Sequence, residues 1–278
     1  MSPFVLLAVL GAALLHAGWN ALIKTGASKQ TSMLILTLGH AAIGALVVAT
    51  RPVPALEVWP WLIGSGAIHM AYQLFLAYAY EQGDLSRVYP IARGAAPMMV
   101  TLVGVFLLAD VVTPVEFAGI FVLGLGIIAM SLGALVQGES RRLVPYALGS
   151  AVATAGYSLV DGTGARISGD PATYVGWLLI LSAVFYTPVV IGLKGSHILR
   201  ADGRTWGMGL VAAAASYAAY AVVVWAMTQA PIALVTALRE TSILFAVLIG
   251  WLAFGDRMDR TKAVAAGLIV SGVILTRL

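Results

Sequence analysis

Long apolar runs separated by short polar breaks fill nearly the whole chain of 278 residues. A helix that spans a membrane needs about 20 consecutive, mostly apolar residues. Ten runs of about this length predict an all-α integral membrane protein with ten transmembrane helices. The runs cover residues 3–23, 31–50, 58–80, 88–109, 113–135, 144–161, 173–193, 205–229, 232–254 and 262–277.

The composition also indicates a lipid environment. Hydrophobic residues make up 60% of the chain, charged residues make up 10%, and the mean hydropathy is +0.95. A soluble domain has about 25% charged residues, so this chain has too little polar surface to face water. The net charge of +4 comes from single or paired Lys and Arg between apolar runs, so no nucleic acid is expected as a partner. The absence of cysteine excludes disulfides and thiolate metal sites.

The breaks between the runs fit helices better than a β-barrel. Segments such as 51–54 and 137–142 combine turn-forming and charged residues, which belong at the membrane interface. Barrel strands are about ten residues long and alternate in polarity, whereas residues 211–227 form one continuous apolar stretch. The first run lacks a basic segment before it and contains His16, Trp19 and Asn20, so we expect it to be retained and not cleaved as a signal peptide.

The distribution of basic residues predicts the orientation. Cytoplasmic loops of membrane proteins are enriched in Lys and Arg. The loops after the odd-numbered helices hold eleven of them, and the other side holds three, which places both termini outside the cytoplasm. The eleven are Lys24, Lys29, Arg87, Arg141, Arg142, Lys194, Arg200, Arg204, Arg257, Arg260 and Lys262, and the three are Arg51, Arg166 and Arg277.

Two sequence offsets indicate an internal duplication. An offset of 138 residues aligns 25–27 with 163–165, and both segments read Thr-Gly-Ala. An offset of 146 residues aligns Arg93 with Arg239. The arginine match weighs most, because arginine is rare inside an apolar helix.

The duplication predicts two five-helix repeats, residues 1–137 and 143–278, joined by a hinge at 138–142. An odd number of crossings makes the second repeat enter the membrane upside down. Inverted repeats of this kind surround a central cavity near the midplane in many secondary transporters.

The chain resembles the EamA type of the drug/metabolite transporter superfamily. The resemblance rests on the two five-helix repeats, the short loops and the segment 105–110, which ends with Asp110 and precedes a Gly-rich fifth helix. Asp256 occupies the equivalent place in the second repeat. It implies a permease or exporter of small metabolites and no enzymatic activity. Small four-helix relatives carry a proton-binding Glu in their first helix, and the first helix here has no acidic residue.

Polar and aromatic residues at helical spacing inside the apolar runs are the candidate substrate site. In lipid such side chains usually face a cavity or a neighbouring helix, and small-molecule pockets combine aromatic walls with a few polar groups. Polar contacts that merely join helices are the alternative. The candidates are His16, Trp19, Asn20, His69, Tyr72, Gln73, Tyr89, Arg93, Tyr157, Ser158, Ser216, Tyr217, Tyr220, Arg239 and Glu240.

Among these candidates, the charged residues give the sharpest signal. Adjacent residues on a helix point about 100° apart, so Arg239 and Glu240 are not expected to pair well with each other. Arg239 is expected to face substrate and Glu240 to reach another helix. Because Arg93 is the repeat equivalent of Arg239, we expect the two ends of the cavity to be gated by Arg93 on one side and by Arg239 with Glu240 on the other.

The sequence therefore predicts a secondary transporter of a small organic metabolite, amino-acid-like or amphipathic and anionic. It would work in the cytoplasmic membrane by alternating access, with export favoured, as a monomer or homodimer. No catalytic motif is present, the four histidines lack metal-ligand spacing, and no cofactor is expected. The alternatives are a polar-pore channel and a membrane helper protein that transports nothing.

The charge bias makes a direct prediction for the C-terminus. A reporter that fluoresces only in the cytoplasm, fused after Leu278, should leave cells dark. The same reporter inserted at 139 should make them bright, which controls for expression. Bright cells with the C-terminal fusion would reverse the orientation.

Overall fold

The computed structural model describes residues 1–24, 28–82, 96–107, 111–135, 143–254 and 260–277, and these ranges fold into helices without any β-strand. Two short 3-10 segments, Leu56–Val58 and Ser196–Leu199, lie between helices. The predicted all-α architecture is confirmed. The helices are α1 (Pro3–Lys24), α2 (Lys29–Val48), α3 (Trp59–Gln82), α4 (Ala96–Leu107), α5 (Pro114–Leu135), α6 (Leu143–Ser168), α7 (Pro171–Lys194), α8 (Gly203–Gln229), α9 (Ile232–Arg239), α10 (Ser242–Phe254) and α11 (Arg260–Leu275).

The helices match the ten predicted crossings when α9 and α10 count as one interrupted crossing. Five described stretches are long and apolar enough to span a bilayer by length and composition: 3–22, 29–48, 171–194, 203–229 and 232–252. Large apolar side chains point outward, as in Phe4, Leu46 and Leu252, which are 71%, 75% and 74% exposed. An apolar exterior of this kind suits lipid and not water. The predicted hinge at 138–142, together with Asp110 and Asp256, lies outside the described residues.

The sixth crossing is longer than predicted. The apolar run ends at residue 161, but α6 continues to Ser168. Asp161 reads as the end of the run because it is charged, yet it is fully buried within the helix. Near the end of α6, Arg166 donates hydrogen bonds to the carbonyls of Met227 and Ala230 at 2.8 and 3.0 Å. A cation there also fits the negative end of the helix dipole.

The ninth crossing contains a break that the sequence did not predict. Glu240 and Thr241 separate α9 from α10, and their amides bond to the carbonyls of Ala237 and Leu238, three residues back. The Thr241 hydroxyl also donates to the Leu238 carbonyl at 2.7 Å. Such bonds tighten the helix locally and change the direction of the side chains on either side.

A loop carboxylate caps the first turn of α7. The Asp170 carboxylate accepts from the amides of Ala172 and Thr173, at 3.1 and 3.2 Å, and so begins α7. Arg51 reaches it from the loop after α2 with a 2.7 Å ion pair. Partial burial raises the pKa of Asp170, but the hydrogen bonds from Thr173 and Arg51 outweigh it and hold this pKa below its ordinary value.

The two halves pack reciprocally across the molecule. With α1 to α5 in the first half and α6 to α11 in the second, α1 packs on α8 and α3 packs on α6. The first helix of each half therefore packs on the third helix of the other half. Equivalent helices also meet each other, as α2 does with α7, α4 with α9 and α5 with α11. A two-fold relation between five-helix repeats requires this pattern.

The two ends of the described chain lie together. Arg277 donates a hydrogen bond to the carbonyl of Met1 at 2.7 Å. Both residues are therefore on the same face of the bundle, as an even number of crossings requires.

The contact between α5 and α11 depends on glycines that face each other. A Cβ atom on Gly272 would lie 2.6 Å from the Leu123 amide nitrogen and 2.7 Å from the Gly119 carbonyl oxygen. A Cβ atom on Gly119 would meet the Gly272 carbonyl oxygen at 2.9 Å. Small residues let membrane helices approach to backbone contact, where dispersion forces hold them together.

Substitution of Gly272 by Ala should therefore destabilise the protein. The added methyl group would collide with backbone atoms, and overpacking typically costs about 1–3 kcal/mol. We expect a lower midpoint of thermal unfolding in detergent. Gly267→Ala is the matched control on the same helix, because a Cβ there meets nothing within 4 Å. Equal midpoints for the two variants would show that the glycine contact does not hold the helices together.

Candidate functional site

A small cavity lies between the two halves, with a volume of about 60 Å³. Typical ligand pockets measure roughly 300–1,000 Å³, so this cavity is too small, as the structure has it, for an organic metabolite. Both repeats contribute to its wall. The lining residues are Ala12, His16, Trp19, Met33, Leu36, His40, His69, Tyr72, Gln73, Tyr157, Leu179, Ser216, Ala219, Tyr220, Val223 and Arg239.

Most of the predicted site residues lie on this cavity. They come from α1, α3, α6, α8 and the end of α9, which the fold brings together from distant parts of the chain. Tyr89 and Arg93, also predicted, lie outside the described residues. The predicted residues on the wall are His16, Trp19, His69, Tyr72, Gln73, Tyr157, Ser216, Tyr220 and Arg239.

Asn20 and Ser158 do not line the described cavity, because each is bonded within its own helix. The Asn20 amide donates to the His16 carbonyl at 2.8 Å. The Ser158 hydroxyl donates to the Thr154 carbonyl at 2.7 Å. Both side chains are buried, and both satisfy helix carbonyls instead of facing the cavity.

Tyr217 and Glu240 are also absent from the wall of the described cavity. Tyr217 follows Ser216 directly, so its side chain points about 100° away, toward α2. There its ring meets the His40 ring edge-on, with centroids 6.5 Å apart. Glu240 is fully buried beside Arg239.

Aromatic rings from three helices form one side of the cavity. The His69 ring stacks on the Tyr157 ring with centroids 4.3 Å apart, and Tyr72 meets Tyr157 edge-on at 5.4 Å. Tyr220 meets the same ring edge-on at 6.0 Å. These contacts join α3 to α6 and α8, so the aromatic wall crosses from one repeat to the other.

Arg239 brings a positive charge to this aromatic wall. Its guanidinium lies 5.6 Å from the centre of the Tyr157 ring. Contrary to the expectation from an unbroken helix, it also contacts Glu240, with 3.4 Å between Nη2 and Oε1. The break after α9 changes the angle between these neighbours, so the two charges lie close together.

Asp161, which lies behind the cavity wall, is not among the predicted site residues. Its Oδ2 is 3.0 Å from His69 Nε2, and its Oδ1 accepts from the Tyr174 hydroxyl at 3.3 Å. The Tyr220 hydroxyl donates to Oδ2 as well and lies 3.3 Å from His69 Nε2. Asp161 follows Tyr157 by four residues and therefore shares its helix face, which is the signal that could have revealed it.

His40 was also missed as a cavity residue. Its side chain is buried, and neither ring nitrogen has a hydrogen-bond partner among the described residues. The Gln73 side-chain oxygen is unsatisfied in the same way. Because buried polar groups are normally paired, these atoms are available to a bound molecule. Within the described ranges, no group of His, Asp and Glu is arranged to hold a metal ion.

Comparison with known proteins agrees with this architecture. The model of the EamA-like transporter family matches residues 3–132 and again 142–278. The chain belongs to the EamA-like transporter family. The double match confirms the duplication and makes the protein a multi-pass secondary membrane transporter, not an enzyme.

One solved structure, described only as "Crystal structure of protein", has a similar fold. It shares 19% sequence identity and a TM-score of 0.76, over 100% of this chain and 99% of the other. At this identity the likeness concerns the fold alone. No curated protein matches the chain.

The contact between Arg239 and Glu240 in this EamA-like protein should show strong energetic coupling. Their side chains are 3% and 0% exposed, and removing one member of a buried ion pair typically costs about 3–5 kcal/mol. Arg239→Ala and Glu240→Gln should each lower the free energy of unfolding. The double variant should lose clearly less than the sum of the two, when measured by denaturation in detergent. Additive losses would mean that the pair is not coupled.

Proposed function

We propose that this transporter moves a small aromatic or amphipathic metabolite that bears a carboxylate, such as an amino acid, by alternating access. The observation that carries the proposal is the guanidinium of Arg239, which lies on the wall of the cavity between the repeats, beside the Tyr157 ring. Arginine binds carboxylates through two parallel hydrogen bonds. Rings of a substrate would pack on Tyr72, Tyr157 and Tyr220.

Further polar groups would orient such a substrate. His40 and Gln73 offer atoms without protein partners in the described structure. They lie on α2 and α3, whereas Arg239 lies at the end of α9. A molecule with a charged end and a second polar group would therefore contact both repeats, and binding would be sensitive to their relative position.

The contact between Arg239 and Glu240 fits a gate in its closed form. Substrate would compete with Glu240 for the guanidinium, so binding and closure would use the same group. Arg93 is the equivalent of Arg239 in the sequence of the first repeat, and under this proposal it would gate the other end of the cavity, on the opposite side of the midplane. Substrate would reach the two arginines from opposite sides of the membrane.

The setting proposed for this activity is the cytoplasmic membrane, with both termini outside the cytoplasm. The excess of Lys and Arg in the loops after odd-numbered helices supports this orientation. Export is the direction that the resemblance favours, by a monomer or a homodimer.

The proposal is tested with a variant that removes the cation together with the carboxylate that it contacts. Arg239→Ala combined with Glu240→Gln leaves the net charge of the pair unchanged. A thermal-shift screen of the wild type against amino acids and aromatic carboxylates should first give a ligand, because binding stabilises the folded state. The double variant should then bind this ligand about 10- to 100-fold more weakly, since hydrogen bonds to charged groups contribute about 1.5–3 kcal/mol.

A second ion pair in the chain provides the matched control. Arg51→Ala combined with Asp170→Asn removes the ion pair in the loops, whose side chains are 40% and 39% exposed and are not among those that line the cavity. This variant should bind the ligand as the wild type does. Both variants should be folded, and counterflow of the labelled ligand in proteoliposomes should follow the binding results. Wild-type affinity in the Arg239 and Glu240 variant would disprove the assignment of the carboxylate site.

A further inference from the structure

A buried acidic cluster joins the two repeats beside the cavity, and the transport proposal above leaves it without a role. We define the Asp161 cluster as Asp161 of α6 with its hydrogen-bond partners His69 of α3, Tyr174 of α7 and Tyr220 of α8. The Asp161 side chain is 0% exposed and that of His69 is 7% exposed. His69 and Tyr220 line the cavity, and Asp161 lies behind them.

The charge of Asp161 has no fixed counter-charge in the cluster. The two tyrosine hydroxyls are neutral donors, and the third donor is an imidazole, which becomes a cation only when it is protonated. Among the described residues, no Lys or Arg forms an ion pair with Asp161. Burying a carboxylate without a positive charge is costly. A proton on His69 removes this cost.

The surroundings contain other groups that can titrate or carry charge. Arg239 at the end of α9 and Glu240 directly after it contact each other. Tyr72 and Tyr157 have ring contacts with His69. His16 of α1 and His40 of α2 lie on the same cavity. Either histidine is an alternative proton acceptor, and a test must distinguish them from His69.

We propose that His69 and Asp161 bind the proton that drives transport, a proposal that rests on the transport function above. The hydrogen bonds of His69 to Asp161 and Tyr220 use Nε2. The proton adds to the lone pair of Nδ1, where a new N–H bond forms, and Nε2–H remains donated to Asp161. The pair changes from a net charge of −1 to zero, and the proton leaves from Nδ1 on the other side of the membrane.

The site lies where a proton would change the relation between the repeats. His69 belongs to the first half, and Asp161 and Tyr220 belong to the second. Protonation converts the hydrogen bond between a neutral imidazole and the carboxylate across this boundary into an ion pair, which strengthens it. The bound proton therefore favours the form in which α3 and α6 are in contact through His69 and Asp161. Release of the proton favours separation of these two helices.

Proton binding can be measured on the purified protein without any substrate. The probe is the proton itself. The protein is titrated from about pH 8 to about pH 5, the range in which histidine gains its charge. Asp161→Asn should take up about one proton fewer than the wild type, because a buried imidazolium without its carboxylate is costly. Asp161→Glu should restore the uptake. An unchanged uptake in Asp161→Asn would overturn the proposal.

Asp170→Asn is the matched control for the same chemical change. The pKa of Asp170 is held below its ordinary value, so its carboxylate stays ionised across this range and the control should take up as many protons as the wild type. If Asp161→Asn does not fold, nuclear magnetic resonance of the wild type labelled in its histidines gives the answer. The chain has four histidines, and His69→Gln assigns the relevant signal. Protonation of His16 or His40 in place of His69 would contradict the proposal.

Coupling is then measured in proteoliposomes with labelled phenylalanine, or with the ligand from the thermal-shift screen, as the probe. A pH gradient should accelerate wild-type transport relative to equal pH on both sides. In Asp161→Asn the ratio of the two rates should fall to about one. Wild-type exchange that ignores the gradient would disprove proton coupling alone, whereas a wild type without any exchange would disprove the transport proposal.

Discussion

The low dielectric of the bilayer makes every buried polar group depend on a partner, and this constraint shapes the structure around Asp161. Its carboxylate has donors from α3, α7 and α8, so three helices meet at one residue of a fourth. His69 and Tyr220, two of the three residues that satisfy it, also line the cavity. The same side chains therefore stabilise the buried carboxylate and define part of the shape of the cavity.

A second consequence of the same constraint concerns where helices stop. In water, a charged residue after an apolar run usually marks the end of a buried segment. Here α6 continues past Asp161 because the neighbouring helices replace water as hydrogen-bond donors. The break after Arg239 is the reverse case, because there a helix stops where the sequence does not indicate an end. It occurs inside an apolar run, where the backbone of Glu240 and Thr241 turns through shorter-range hydrogen bonds.

Much of the fold could be predicted because lipid leaves few ways for a chain to cross it. Apolar length gave the ten crossings, and the spacing of polar residues found most of the cavity wall. The errors come from information that one helix does not contain. Ser216 lines the cavity and its neighbour Tyr217 does not, and the sequence does not say which of the two does. Asp161 depends on donors from three other helices, and a single sequence does not reveal those donors.

The hydrogen bond between Arg277 and the Met1 carbonyl has a consequence for chain connectivity. Since the two ends of the described chain touch, a short peptide would join them without disturbing any crossing. A circularly permuted chain could then begin in the second repeat and end in the first. We expect such a permuted protein to fold, because the helix contacts between the two halves are the same whichever repeat comes first.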